Sequence, residues 1–94
     1  MNPEMTRFFA LLGRAPQSVQ RCFDREKCWM DGVALEHIVG HGSSGERSMA
    51  RFFRDVWKGQ SHDQEPFLLI DAHGPLDRDY REIIAAWILD PCWP

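Results

Sequence analysis

Apolar residues recur at helical spacing in several stretches of this chain, and polar residues punctuate the pattern between them. Met5, Phe8, Phe9 and Leu12 share one face of a helix predicted over 3–12. Asn2 can cap it, Pro3 fits its first position, Glu4 suits the positive end of its dipole, and Gly13 supplies a stop. A second helix is expected from Pro16, with Val19, Cys22 and Phe23 on one face. It must end within the four charged residues 24–27. The stretch Cys28-Trp29-Met30 reads as a short strand or as an apolar plug between helices. Asp31 can cap a third helix, about 32–39, whose apolar side is Ala34, Leu35, Ile38 and Val39.

The segment Gly40-His41-Gly42-Ser43-Ser44-Gly45 interrupts this pattern, because three glycines in six residues do not extend a helix cheaply. Ser43 followed by Glu46 forms the signature of a capping box. The helix it opens, 44–58, carries the strongest pattern in the chain: Met49, Phe52, Phe53, Val56 and Trp57, with Gly59 as terminator. Phe53 and Trp57 are expected to be buried, with Tyr80, Ile84 and Trp87 facing the same core. A polar loop at 61–66 leads to Phe67-Leu68-Leu69-Ile70, an apolar run of strand length. As a strand it would need Cys28–Met30 as its partner; a buried extended segment or a short helix are the other readings. His73-Gly74-Pro75 punctuates again. A last helix, about 76–89, follows with Tyr80, Ile83, Ile84, Trp87 and Ile88 as its apolar stripe and Asp90-Pro91 as its stop. The expected fold is mainly α: one domain over 1–94, a compact bundle of four to five short helices with room for one short two-stranded element. The alternative class is α+β.

Composition narrows the function classes. Of 94 residues, 44% are hydrophobic, including four Trp and six Phe, enough for one core and against disorder. The net charge of −3 removes the basic excess that general nucleic-acid affinity would bring, so any such role needs a local patch. The longest apolar runs, 8–12 and 83–89, fall far short of the roughly 20 residues of a membrane span. The N-terminus makes a poor signal peptide, and three cysteines (Cys22, Cys28 and Cys92) form an odd set. Reduced thiols and a cytoplasmic setting are expected.

Several motifs invite chemistry and are better explained without it. Gly40-His-Gly-Ser-Ser-Gly45 matches a dinucleotide fingerprint formally, but a helical pattern precedes it where a strand is required. His37 and His41 stand four apart and could face one metal if the helix reached residue 41, yet no further ligands are in register. Ser43 and Ser44 lie near His41 outside any nucleophile elbow, and helix capping explains them better. Hence no catalytic residue, metal ligand set or cofactor is assigned.

The most specific polar feature is a stripe. Arg47, Arg51, Arg54 and Lys58 follow i, i+4, i+7 and i+11 on helix 44–58, away from Phe52 and Phe53, and are expected to point to solvent. Their spacing suits an acidic protein groove or phosphates.

From Ala34 to about Asp77 the chain resembles a family of small proteins carried on bacterial integrative and conjugative elements. The residues that carry the likeness are Ala34-Leu35, Ser44-Gly45-Glu46, Phe53, Trp57, Phe67, Leu69, Asp71 and Leu76-Asp77. The resemblance covers about half the chain and implies a setting on mobile DNA or a prophage rather than an activity. The leading expectation is a non-enzymatic protein-binding or accessory protein whose partner offers an acidic surface. The alternative is a small DNA-binding regulator that uses the basic face of helix 44–58, with a metal-dependent enzyme a distant third.

Overall fold

A computed structural model describes residues 2–73 and 76–94, so Gly74 and Pro75 of the expected His73-Gly74-Pro75 turn lie outside the described residues. The first helix, α1 (Pro3–Leu12), forms as its pattern requires: the Asn2 side chain accepts the Met5 amide at 2.7 Å, and Phe8 and Leu12 are buried. The second, α2 (Gln17–Gln20), stops after one turn. Cys22 and Phe23 are buried as their spacing suggests, but the chain leaves the helix to reach them. Phe23–Asp24 (β1) pairs antiparallel with Trp29–Met30 (β2), Phe23 opposite Met30. The charged residues expected to end a helix form the hairpin turn instead, where Asp24 accepts the Lys27 amide. The pairing of Cys28–Met30 with Phe67–Ile70 is thereby corrected: a local hairpin needs far less loop closure than a strand 40 residues away.

Asp31 caps α3 (Gly32–His41), which runs two residues past its expected end and through Gly40. Gly42 then turns the chain where a side chain would not fit, because a Cβ there would stand 2.9 Å from the Ile38 carbonyl oxygen. The capping box is complete at the start of α4 (Ser44–Lys58): Ser43 Oγ accepts the Glu46 amide and Glu46 accepts the Ser43 amide. Gly59 ends α4 in the left-handed conformation, φ 72°, which glycine adopts without steric cost.

Helix α4 organises the molecule. Phe53 faces Phe8 edge-on at 5.5 Å, and Phe8, Phe9 and Phe23 gather round Trp57. Phe52, turned about 100° away, meets Phe67 and Trp87. Phe53 is buried as expected. Ile84 is buried, and Tyr80 and Trp87 pack against the same core as expected, Trp87 on Phe52; Trp57 joins that core but is part-buried rather than buried.

The C-terminal region departs most from its pattern. Phe67–Ile70 is not a strand: the short-helix reading holds for its second half, which opens α5 (Leu69–His73), while Phe67 is part-buried against Phe52 and Ile70 is 85% exposed. The last helix, α6 (Arg78–Leu89), starts two residues later than expected, behind Asp77, which accepts the Tyr80 amide. Ile83 and Ile84 are buried, whereas Ile88 stays exposed. Beyond α6 the tail returns to α1. Arg7 donates to the Asp90 carboxylate and the Pro91 carbonyl, Glu4 accepts the Trp93 amide at 2.7 Å, and Trp87 donates its indole N–H to the Cys92 carbonyl. Hydrogen bonding from Trp93, then from Arg7, holds the Glu4 carboxyl below its ordinary range. Among the described residues the protein is thus mainly α, six helices with one two-stranded sheet, and no helix is long and apolar enough to cross a membrane.

Candidate functional site

The basic stripe of α4 does not form one solvent-facing surface. Arg54 is 1% exposed. Its Nε donates to Asp55, one terminal nitrogen donates to Glu36 at 3.0 Å and the other to the Glu65 carbonyl at 2.6 Å. The expectation that Arg54 points to solvent is therefore corrected. The loop after α4 folds back over this side of the helix, Asp55 accepts the Phe67 amide, and α3 supplies Glu36. Glu65 reaches its position with a left-handed backbone, φ 49°, which non-glycine residues rarely adopt. Lys58, at the last turn, is exposed, where it also complements the helix dipole.

Arg47 and Arg51 have a different environment. Together with Ser44 and Ser48 they occupy positions i, i+3, i+4 and i+7 of α4 and line a small polar pocket of about 170 Å3. Pro66, Phe67, Leu68, Asp71 and Ala72 form its opposite wall. Arg47 donates its Nε to the Val39 carbonyl at 2.8 Å. Arg51 has only a long contact to Glu65, 3.8 Å, and its Nε is buried with no hydrogen-bond partner among the described residues. Of the four stripe residues, then, two share a pocket, one is internal and one stands alone on the surface.

A feature the periodicity missed lies on the other side of Phe67. A groove of about 430 Å3 runs between α4 and α6 and is lined mainly by Phe52, Val56, Phe67, Leu69, Ile84, Trp87, Ile88 and Trp93. It continues past Leu69 and Ile88 into a second apolar depression beside Ile70, Leu76 and Ala85. Leu68, Leu69, Ile70, Ile88, Leu89 and Trp93 are each more than half exposed. The available signal was the count of apolar positions. Residues 83–89 carry more of them than one buried helix face can hold, and the excess must face outward.

The remaining motifs are accounted for by local structure. His37 and His41 do share a face, with rings stacked at 4.4 Å, because α3 extends to residue 41. No group of three potential ligands stands around them or elsewhere among the described residues. The Gly40–Gly45 segment connects two helices. Glu46 is held charged, its carboxyl lowered by the Ser18 hydroxyl first and then by Ser43. Burial pushes the Cys22 thiol up, with Asp31 adding to it, and burial likewise raises Cys92.

Fold and surface together define a small, mainly helical domain with one apolar groove and one basic pocket separated by Phe67. No protein-family model matches the chain, and neither a curated protein nor a solved structure matches it.

Proposed function

We propose that this protein is a non-catalytic protein-binding domain that docks a partner through the apolar surface between α4, α5 and α6. The observation that carries this reading is the exposure of Leu69, Ile70 and Ile88 along the groove and its continuation, with the exposed Leu89 next to Ile88 in the chain. Leaving large aliphatic side chains in water forgoes up to roughly 1.5–3 kcal/mol for the nearly fully exposed Ile70 and Leu89 and about half that for Leu69 and Ile88, part of which a docked partner would recover. An acidic character of the partner is supported by Arg47 and Arg51 beside that surface, without Arg54. The DNA-binding alternative loses support for the same reason, since its basic face lacks Arg54 for phosphate contact. The setting on a mobile element rests on the resemblance of residues 34–77.

The test uses the whole chain as bait in its native host. Ile88→Asp with Leu89→Asp alters exposed positions only, so the melting temperature should change by no more than a few degrees while the co-purifying partner is lost. Recovery of the same partner by wild type and variant in equal yield would remove the groove from the function.

A further inference from the structure

We propose that Ser44, Arg47, Ser48 and Arg51 form a binding pocket for a single oxyanion, the carboxylate or phosphoryl group of a ligand. This deepens the polar half of the reading above and does not depend on the apolar groove. Four observations carry it. The pocket is lined by two guanidinium groups and two hydroxyl-bearing residues drawn from one face of one helix, so their relative placement is rigid. The arginines are four residues apart and have the same charge, an arrangement that an anion between them stabilises. Each guanidinium carries five N–H donors, yet among the described residues the pair makes one hydrogen bond, from Arg47 to Val39, and one long ion contact, from Arg51 to Glu65. Lastly, Ser44 is the first residue of a fifteen-residue helix, so the positive end of the dipole lies beside the pocket, where the Glu46 carboxylate of the capping box already meets part of it and the two guanidinium groups supply the rest of the positive charge.

The chemistry follows from the donors. Forked guanidinium groups match the paired oxygens of carboxylates and phosphates, and hydroxyls supply further donors to the same oxygens. A volume of about 170 Å3 admits one such group and little attached to it. The rest of the ligand lies outside the pocket, and the half-exposed Leu68 in its wall shows that this side reaches solvent. Two carboxylates oppose the anion: Glu65 stands 3.8 Å from Arg51, and Asp71, on α5, lines the pocket itself. Asp71 is the one set in the pocket wall. Among the described residues it forms no ion pair with Arg47 or Arg51, and so acts as a local brake on affinity. That makes Asp71 the most informative position in the site.

The Nε–H resonances of Arg47 and Arg51 can be followed by proton–nitrogen NMR while sodium phosphate, sodium acetate or sodium chloride is added at matched ionic strength. Saturable shifts of both resonances are expected with phosphate or acetate, with half-saturation at roughly 1–10 mM for so small a probe, and no saturable shift with chloride. Tighter binding of phosphate assigns a phosphoryl source, and tighter binding of acetate a carboxylate source. Asp71→Asn should tighten the favoured anion by roughly threefold or more, since it removes a like charge at close range. Arg51→Lys should weaken it by a similar factor, because the fork is lost while the charge is kept. The groove variant Ile88→Asp/Leu89→Asp should titrate like wild type, so failure of the groove and failure of the pocket are read separately. The proposal is overturned if phosphate and acetate shift these resonances no more than chloride does. It is equally overturned if Asp71→Asn leaves anion affinity unchanged.

Discussion

Arg51 and Arg54 lie three residues apart on the same helix, on the same predicted face, and end in opposite circumstances. Arg54 is closed over by α3 and by the loop after α4, with every nitrogen of its guanidinium bonded. Arg51 faces the gap between α4 and α5, where its nearest acid stands 3.8 Å away and its Nε has no acceptor among the described residues. The difference comes from what covers the helix, not from the helix. Glu36, Asp55 and the Glu65 carbonyl converge on one position, while Ser44, Ser48 and the thin wall of residues 66–72 surround the other. The same side chain thus serves as an internal tie in one turn of α4 and as an available donor group in the preceding one.

Substitutions can sharpen this contrast. Arg54→Ala should produce the largest loss, about 2–3 kcal/mol, since it removes three hydrogen bonds from a buried guanidinium and leaves the part-buried Asp55 and the Glu65 carbonyl without it, while Glu36 stays half in solvent. Thermal and urea unfolding would measure it, and a loss below about 1 kcal/mol would show that the loop does not close over Arg54 in solution. Glu46→Ala comes next, at about 1 kcal/mol, through loss of the capping box that sets the start of α4 beside the pocket. Glu46 has its folded pKa below the ordinary 4.5, so its stabilisation is complete above that value and is lost as pH falls through the lowered one. The stability gap between wild type and Glu46→Ala should therefore narrow progressively in acid below pH 4.5, and a gap constant with pH would contradict the hydrogen bonds to Ser18 and Ser43. The smallest effect belongs to Arg51→Ala, within about 0.5 kcal/mol of wild type. A loss as large as that of Arg54→Ala would mean that the two arginines are equivalent after all.

What the pattern along the chain made legible was local. Asn2, Asp31, the Ser43–Glu46 box and the Gly59 stop lie within four residues of the backbone groups they satisfy, so the starts of α1, α3 and α4 and the end of α4 are legible, whereas the Asp77 cap that opens α6 is not. Burial of Phe53 followed from helical spacing in the same way. The failures are non-local. Whether 28–30 pairs with 23–24 or with 67–70 depends on which segment arrives, and spacing within 28–30 does not encode it. The run Phe67–Ile70 has the composition of an interior strand, but only Phe67 finds the core, against Phe52, and Leu68, Leu69 and Ile70 stay largely in solvent. The basic stripe was correct as a set of angles around α4 and wrong as a surface. A helical wheel cannot show that residues 59–67 fold back over one end of it.

The contacts between α1 and the tail have a topological meaning. Glu4 and Trp93 are 89 residues apart in sequence and are joined at 2.7 Å, and Arg7 adds two further stitches to Asp90 and Pro91. In space the polypeptide is thus a closed circuit fastened by hydrogen bonds. A peptide linker between the two ends would follow a path the molecule already takes. New ends could then be opened in the exposed hairpin turn at 25–27 without crossing any packed layer. A chain joined between residues 2 and 94 and reopened in that turn is expected to keep the arrangement of α1 to α6, because the same contacts remain within it.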